Sequence, residues 1–342
     1  MTNLFNNYQS PTSINDRVLI VDALNSWLRV WSSIPLISEN GEHIGGIVGF
    51  LRSIGVNIRD FNPTRCLIVF DGKGGSKRRR ELFPEYKANR TGKHNLRREF
   101  FATKEEEQIS MRNQLIKTIG YLENLPVQII SMDHIEADDV IAYITSNYFE
   151  KEANQIRIVS TDRDFLQLVN DKVEVYSPVK KKLYDAEAIQ EEYGLHNTNY
   201  LIYRVLNGDA SDNINGVDGI GLKTLLKSFP NLTLPDFGLE GFLEYSQEQV
   251  KTVKKPKKIY ENVIKHQDLI NRNYKLMQLH DVDISGTSKI RIIETLQTTP
   301  TKTNRLKIRQ LIGEDNLYNQ FKNLDLWLTT TFNSLDVWAT KH

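Results

Sequence analysis

Four short apolar runs in this 342-residue chain each end on carboxylates, and that recurrence limits the folds open to it. Residues 17–25 (RVLIVDALN) carry Val18, Leu19, Ile20 and Val21 up to Asp22, and residues 65–72 (RCLIVFDG) end at Asp71. Residues 126–139 (PVQIISMDHIEADD) close on Glu136, Asp138 and Asp139, and residues 156–164 (IRIVSTDRD) on Asp162 and Asp164. Runs of this length, rich in Val and Ile, read as strands buried on both faces. Helical spacing over 44–60, 105–124 and 138–151 separates them. The alternation predicts an α/β fold with a mostly parallel central sheet flanked by helices, and a reactive crevice beyond the carboxyl ends of the strands.

Carboxylates gathered in one crevice repel each other by more than about 1 kcal/mol per pair at an effective dielectric near ~20. A bound cation removes that repulsion. The single cysteine, Cys66, excludes a thiolate cluster, and no His pair stands at ligand spacing nearby. The donors are therefore hard oxygens, which suit Mg²⁺ or Mn²⁺ rather than zinc. Each aspartate alone reads equally well as a strand-end turn or a helix N-cap. A helix N-terminus accounts for Asp138 or Asp139, but not for Glu136 and the Asp162/Asp164 pair falling in register with them.

Summed over the chain, 44 Lys+Arg against 43 Asp+Glu say little about partners. Their distribution says more. Residues 72–104 hold eleven Lys or Arg against three Glu, a surplus of eight that emerges directly after Asp71. Such a surplus marks phosphate binding, with a solvated basic loop as the alternative. Phe83, Tyr86, Phe100 and Phe101 interleave with it and are candidates for base stacking or core packing. Weak periodicity over 91–104 allows a helix that orders on substrate. Further on, residues 215–224 (NGVDGIGLKT) place Gly216, Gly219 and Gly221 before an apolar helix containing Leu222, Leu225, Leu226 and Phe229. The spacing predicts a hairpin between two helices whose N–H groups suit a phosphate of duplex DNA. Lys223 opposes the dipole of the helix it starts unless an anion is expected there. Asp209 is placed to join the metal site, whereas Asp212 reads slightly better as a turn cap. Lys251, Lys254, Lys255, Lys257 and Lys258 read as a solvated face. Residues 1–16 read as a flexible tail without an export signal, and no apolar run reaches membrane length, which favours a soluble, cytoplasmic protein.

Taken together, five blocks resemble the metal-dependent 5′ nucleases, or flap endonucleases, of bacteria and phages, and among them the phage T5 type. The blocks are 20–25 (IVDALN), 82–90 (LFPEYKANR), 136–139 (EADD), 160–164 (STDRD) and 208–223, in family order. The resemblance implies a two-metal site: Asp22, Asp71, Glu136 and Asp138 for one Mg²⁺, and Asp162, Asp164 and Asp209 for the other. Asp139 and Asp212 would be outer members, and Mn²⁺ would substitute. It also implies Lys87 as the active-site lysine and Arg79 as the cation on the scissile phosphate, with Arg78 and Arg80 as neighbours able to take that place. An arch over about residues 88–115, with Tyr86, Arg90 and Lys93 contacting DNA, would pass a 5′ single strand. Gly216, Gly219, Gly221, Lys223 and Thr224 would belong to a helix-hairpin-helix that grips the duplex with a K⁺ ion.

The implied organisation is a nuclease core over 17–205, a duplex-binding region over 206–300 and a helical extension over 301–342 without a counterpart in the family. The implied activity is that of a monomeric 5′→3′ exonuclease and 5′-flap endonuclease in DNA replication and repair, cutting DNA and RNA primers on DNA. The termini would serve partners such as a sliding clamp or a single-strand-binding protein. Two rival readings are a non-catalytic junction-binding protein, which has no use for clustered like charges, and a PIN-type ribonuclease, which the hairpin and the length disfavour.

Overall fold

The computed structural model of the protein describes residues 11–90 and 99–340. Of the residues singled out above, Lys93 lies outside them, as do residues 1–10 and most of the stretch 91–104. The four apolar runs form β1 (Arg17–Asp22), β2 (Arg65–Phe70), β3 (Gln128–Ser131) and β4 (Gln155–Val159). Two further strands, β5 (Val173–Ser177) and β6 (Lys182–Tyr184), extend one edge. The sheet order is β3-β2-β1-β4-β5-β6, parallel throughout except for β6. The chain reverses its direction of travel across the sheet between β1 and β4, which is where crevices open in such sheets.

Because successive strand residues point to opposite faces, one sequence run serves two cores. Val18, Ile20, Leu67 and Val69 enter one core, and Leu19, Val21, Cys66 and Ile68 enter the other. The helices Gly45–Phe61 and Lys104–Leu122 match the spacing read from sequence. The third expected helix is interrupted: Ala137–Tyr143 passes through a π-helical turn, Ile144–Tyr148, before Phe149–Glu152.

Two expectations change. Residues 12–16 are tied to the fold, since Thr64 Oγ1 donates to Ile14 O at 2.8 Å and the Asp16 carbonyl accepts from Asn154 N and Gln155 N at 3.0 Å. Residues 301–340, read from sequence only as a helical extension, complete the second core, because Ile308, Ile312, Leu328, Phe332 and Leu335 are buried in it. Arg59 Nη1 donates to Thr331 Oγ1 at 2.7 Å and Tyr121 Oη to Asp315 at 3.0 Å, fixing that segment to both neighbouring helices. Among the described residues no helix is long and apolar enough to cross a membrane.

Candidate active site

Strand register assembles the site. Asp22 lies opposite Val69, while Val21 pairs with Val159, so Asp22 stands beside the residue after β4. That residue is Ser160, whose hydroxyl donates to Asp22 Oδ2 at 2.6 Å. Asp71 Oδ1 accepts the Ala137 N–H at 2.9 Å and so caps the helix Ala137–Tyr143, whose own N-cap residue Glu136 makes no side-chain cap. This needs the chains after β2 and β3 to touch; a Cβ at Gly72 would lie 1.7 Å from Met132 O. Asp162 caps the turn Arg163–Leu168 through Asp164 N at 2.8 Å. The turn-and-cap chemistry read for single aspartates is therefore present alongside their convergence.

At the centre of the crevice the charges have no built-in partner. Asp22, Asp138 and Asp162 form no ion pair among the described residues. Burial, together with the charges of Asp162 and Asp71, pushes the Asp22 carboxyl up to about 7 despite the Ser160 hydrogen bond. Burial and the charges of Asp162 and Asp22 hold Asp138 well above the usual carboxylate range. Asp162 is raised as well, chiefly by burial and against the pull of its own capping bond and of Arg204.

One flank is neutralised by two cations. Glu136, 3% exposed, is bonded to Arg79 and lies 2.5 Å from Lys87 Nζ. Burial alone would raise its pKa, but Arg79 and Lys87 outweigh burial and hold it low. Lys87 Nζ is held in the charged form by Glu136, Asp138 and Asp212 against the opposing effect of burial. Arg79 is not aimed outward as the resemblance implied. It is 3% exposed, forks onto Asp139 at 2.7 and 2.8 Å, and donates through Nε to Leu276 O at 2.9 Å. Four of its five N–H groups are engaged within the protein, so it is buried against carboxylates rather than open to a phosphate, and Asp139 is occupied in the same way. Arg80 is exposed, and Arg78 is half-buried with Nη1 3.9 Å from Asp283.

The opposite flank holds a residue that sequence reading missed. Arg204, 4% exposed, donates through Nε to Asp164 Oδ1 and through Nη2 to Asp209 Oδ2, both at 2.7 Å. Burial and Asp162 push Asp164 up to about 7 against the pull of Arg204. For Asp209, the Ser211 and Arg204 hydrogen bonds outweigh burial and hold it low. The signal was a lone cation in the apolar helix Tyr200–Asn207, on a face shared with Leu201 and Val205. Gln167 braces this flank by bonding Asp164 O at 2.8 Å, Met277 O at 3.0 Å and Leu279 N at 2.8 Å.

The lysine block and the Asp209 loop are stitched together. Lys87 N donates to Asp212 O at 2.9 Å, Asn89 Nδ2 to Ala210 O at 2.7 Å and Asn213 Nδ2 to Glu85 O at 2.9 Å. Lys87 adopts φ +58°, a left-handed conformation that only firm surroundings maintain in a lysine. Asp212 binds Arg90 and accepts from Tyr86 Oη at 3.1 Å, so it joins the two segments as more than a turn cap. Tyr86, expected to contact DNA, is 3% exposed and packed in the core, while Arg90 is engaged with Asp212.

Beyond this loop, the pair Gly208–Asp209 and Ile214–Asn215 leads into the glycine hairpin and the helix Leu222–Ser228. Gly216 is a packing glycine, since its Cβ would lie 2.4 Å from Leu206 O and Asn207 O. Gly219, at φ +78°, and Gly221 face open space, and Lys223 and Thr224 are exposed beside them. His266, Leu269 and Arg272 close the groove, about 810 Å³ in volume, over which the hairpin lies.

No three His, Cys, Asp or Glu side chains among the described residues converge into a cage able to clasp an ion alone. Without ions the carboxylates of the crevice stand as separate donors along a wall. Mg²⁺ suits such a wall, since it keeps several waters and is held by one or two carboxylates together with substrate phosphates.

A family model described as the 5′-3′ exonuclease N-terminal resolvase-like domain matches residues 17–194. The chain belongs to the 5′-3′ exonuclease family. This exonuclease-family chain is 31% identical over 272 residues to the 5′-3′ exonuclease of Buchnera aphidicola subsp. Schizaphis graminum, covering 78% of its own length and 80% of that protein. It is 33% identical over 214 residues to the thermostable DNA polymerase I of Thermus thermophilus, a match covering 62% of this chain and only 23% of that enzyme. Its fold is that of the bacteriophage T5 D15 flap endonuclease, solved as a complex with DNA and metal ions. The TM-score is 0.62 at 19% identity, over 87% of this chain and 99% of that one.

Proposed function

We propose that this exonuclease-family protein is a Mg²⁺-dependent 5′→3′ exonuclease and 5′-flap endonuclease acting on DNA and on RNA primers paired to DNA. The observation that carries this reading is the group of carboxylates beside Lys87, Asp22 buried and Asp138 and Asp162 half-buried, which form no ion pair among the described residues. A hard divalent cation with a phosphate ligand is the chemistry that such a donor wall accepts. Asp22, Asp71 and Asp138 would hold one ion, and Asp162 with Asp164 and Asp209 a second. Ions held there would supply Lewis acidity, making a water easier to deprotonate for attack on phosphorus and offsetting charge on the departing oxygen.

The remaining work falls to the chain itself. Asp71 fixes the helix that carries Asp138, and Ser160 orients Asp22. Lys87, held protonated, offsets charge growing on the phosphate, the kind of term that often dominates such catalysis. Arg79 and Arg204 keep Glu136 and Asp209 ionised without ions present. The hairpin with Gly219, Gly221, Lys223 and Thr224 would hold the duplex through phosphates, together with K⁺, and would set direction relative to the crevice. The protein would work as a monomer in the cytoplasm.

Cleavage of a 5′-labelled flap duplex tests the reading. Wild type is expected to release the flap only with Mg²⁺, and Asp162→Ala/Asp164→Ala to lose cleavage while retaining duplex binding. Equal cutting by both proteins, or cutting without a divalent ion, overturns it.

A further inference from the structure

Residues 251–258 (KTVKKPKK) join the helices Gly238–Thr252 and Lys258–Lys265, and each of their lysines is exposed. As a sequence they read as a solvated face. Their attachment changes that. Asn262 Nδ2 donates to Asp218 O in the hairpin at 2.8 Å, Tyr260 Oη to Ser228 O at 2.7 Å, and Lys257 Nζ to Lys227 O at 3.2 Å. Residues 257–262 are therefore tied to both ends of the hairpin segment, to Asp218 before the helix Leu222–Ser228 and to Lys227 and Ser228 at its end.

On that hairpin helix Lys223 and Lys227 are one turn apart and exposed on the same side, while Leu225 and Ser228 are buried. Exposed lysines thus run from the open glycines through Lys223 and Lys227 to Lys254, Lys255, Lys257 and Lys258. None of these six forms an ion pair among the described residues. Lys180 and Lys182 show the other outcome, since both are paired with Glu192. The acids nearest to them in sequence, Asp218, Asp236, Glu248 and Glu261, form no ion pair with any of the six among the described residues. At about 1.5 Å per helical residue, the hairpin helix carries this line about 10 Å beyond the glycines. That distance is about three base pairs of duplex at 3.4 Å each.

We infer that these lysines form a phosphate track that extends the hairpin's hold along the duplex arm, so that the length of double helix behind the junction contributes to affinity. The inference rests on the reading of the protein as a DNA nuclease and assigns it a second duplex-binding surface that the family motifs do not contain. The track touches backbone only, so it adds affinity and salt dependence without sequence preference.

The full chain is tested in EDTA by fluorescence anisotropy, comparing wild type with Lys254→Gln/Lys255→Gln/Lys258→Gln. Lys257 is spared because it bonds Lys227 O. The probes are flap substrates whose duplex arm is trimmed stepwise from two helical turns to less than one. On the longest arm the variant is expected to bind about tenfold more weakly, with the slope of log affinity against log salt shallower by two to three units, about 0.9 for each phosphate no longer neutralised. As the arm shortens the two proteins should converge, and single-turnover cleavage at saturating enzyme should be equal in Mg²⁺. An unchanged slope at every length overturns the track, and so does an equal loss at every length. A wild type that binds no duplex at all would instead overturn the nuclease reading. A melting temperature equal to wild type shows that the variant folds, and Lys254→Arg/Lys255→Arg/Lys258→Arg should restore the slope.

Discussion

Glu136 and Asp138 stand two residues apart at the start of one helix and have opposite electrostatic fates. Glu136 is pinned by Arg79 and Lys87 and held below the usual carboxylate range, whereas Asp138 faces Asp162 and Asp22 and is held well above it. The difference separates carboxylates that the protein has already neutralised, at the flanks, from those at the centre, which form no ion pair among the described residues. Counting acidic residues does not distinguish the two kinds; their partners do.

The contrast is sharpest in activity. Asp138→Asn should lower single-turnover flap cleavage by about 10³-fold or more, since cation-mediated stabilisation supplies several kcal/mol of the barrier. The same change should raise the melting temperature of the metal-free protein, because it removes a charge crowded by Asp162 and Asp22. A variant that loses both activity and metal-free stability would erase the proposed division. At the flank the sign reverses. Arg204→Gln leaves the half-buried Asp164 and Asp209 without their cation and should cost about 2 kcal/mol of stability in EDTA, read by denaturant unfolding. Mg²⁺ should recover part of that loss, and calorimetric titration should show tighter ion binding than in wild type.

Lys87→Ala is expected to reduce the cleavage rate about 10²-fold at saturating substrate, the usual cost of one preorganised charge donor. A loss confined to substrate affinity would turn Lys87 into a residue that only positions DNA. The smallest effect is on pH. Asp22 and Asp164 titrate near 7 in the folded chain against an ordinary value of 3.8, so between those values the folded form holds protons that the unfolded form has released. Stability of the metal-free protein should therefore fall as pH rises through that window. Glu136 and Asp209, held low, act in the opposite sense below it. Thermal melts from pH 5 to 8 should show the decline in EDTA and its disappearance in Mg²⁺.

The centre of the site was legible in the sequence because a parallel sheet converts strand ends into neighbours. Asp22, Asp71, Asp138 and Asp162 needed only the strand assignments. The flanks were not legible. Arg79 is one of four consecutive basic residues, and nothing in KRRR marks the one whose side chain turns inward to Leu276 O. Arg204 was readable in principle as a charge on an apolar helix face, but its partners lie on separate turns. Strands β5 and β6 were missed because VEVYS and KLY alternate polar and apolar residues at a sheet edge, without the unbroken run that marks the centre. The segment 301–340 gave no motif because its task is packing.

The stitch between residues 85–90 and 209–213 bears on where this enzyme can be cut. The family match ends at residue 194, before Arg204, before the loop that grips Lys87 through Asp212 O, and before the carbonyl that anchors Arg79. A fragment ending there would retain every strand of the sheet and all three central carboxylates, Asp22, Asp138 and Asp162. It would also leave a left-handed lysine and two buried ionic clusters with their counterparts missing. The matched module is therefore shorter than the set of residues that completes the site, which runs at least to Leu279.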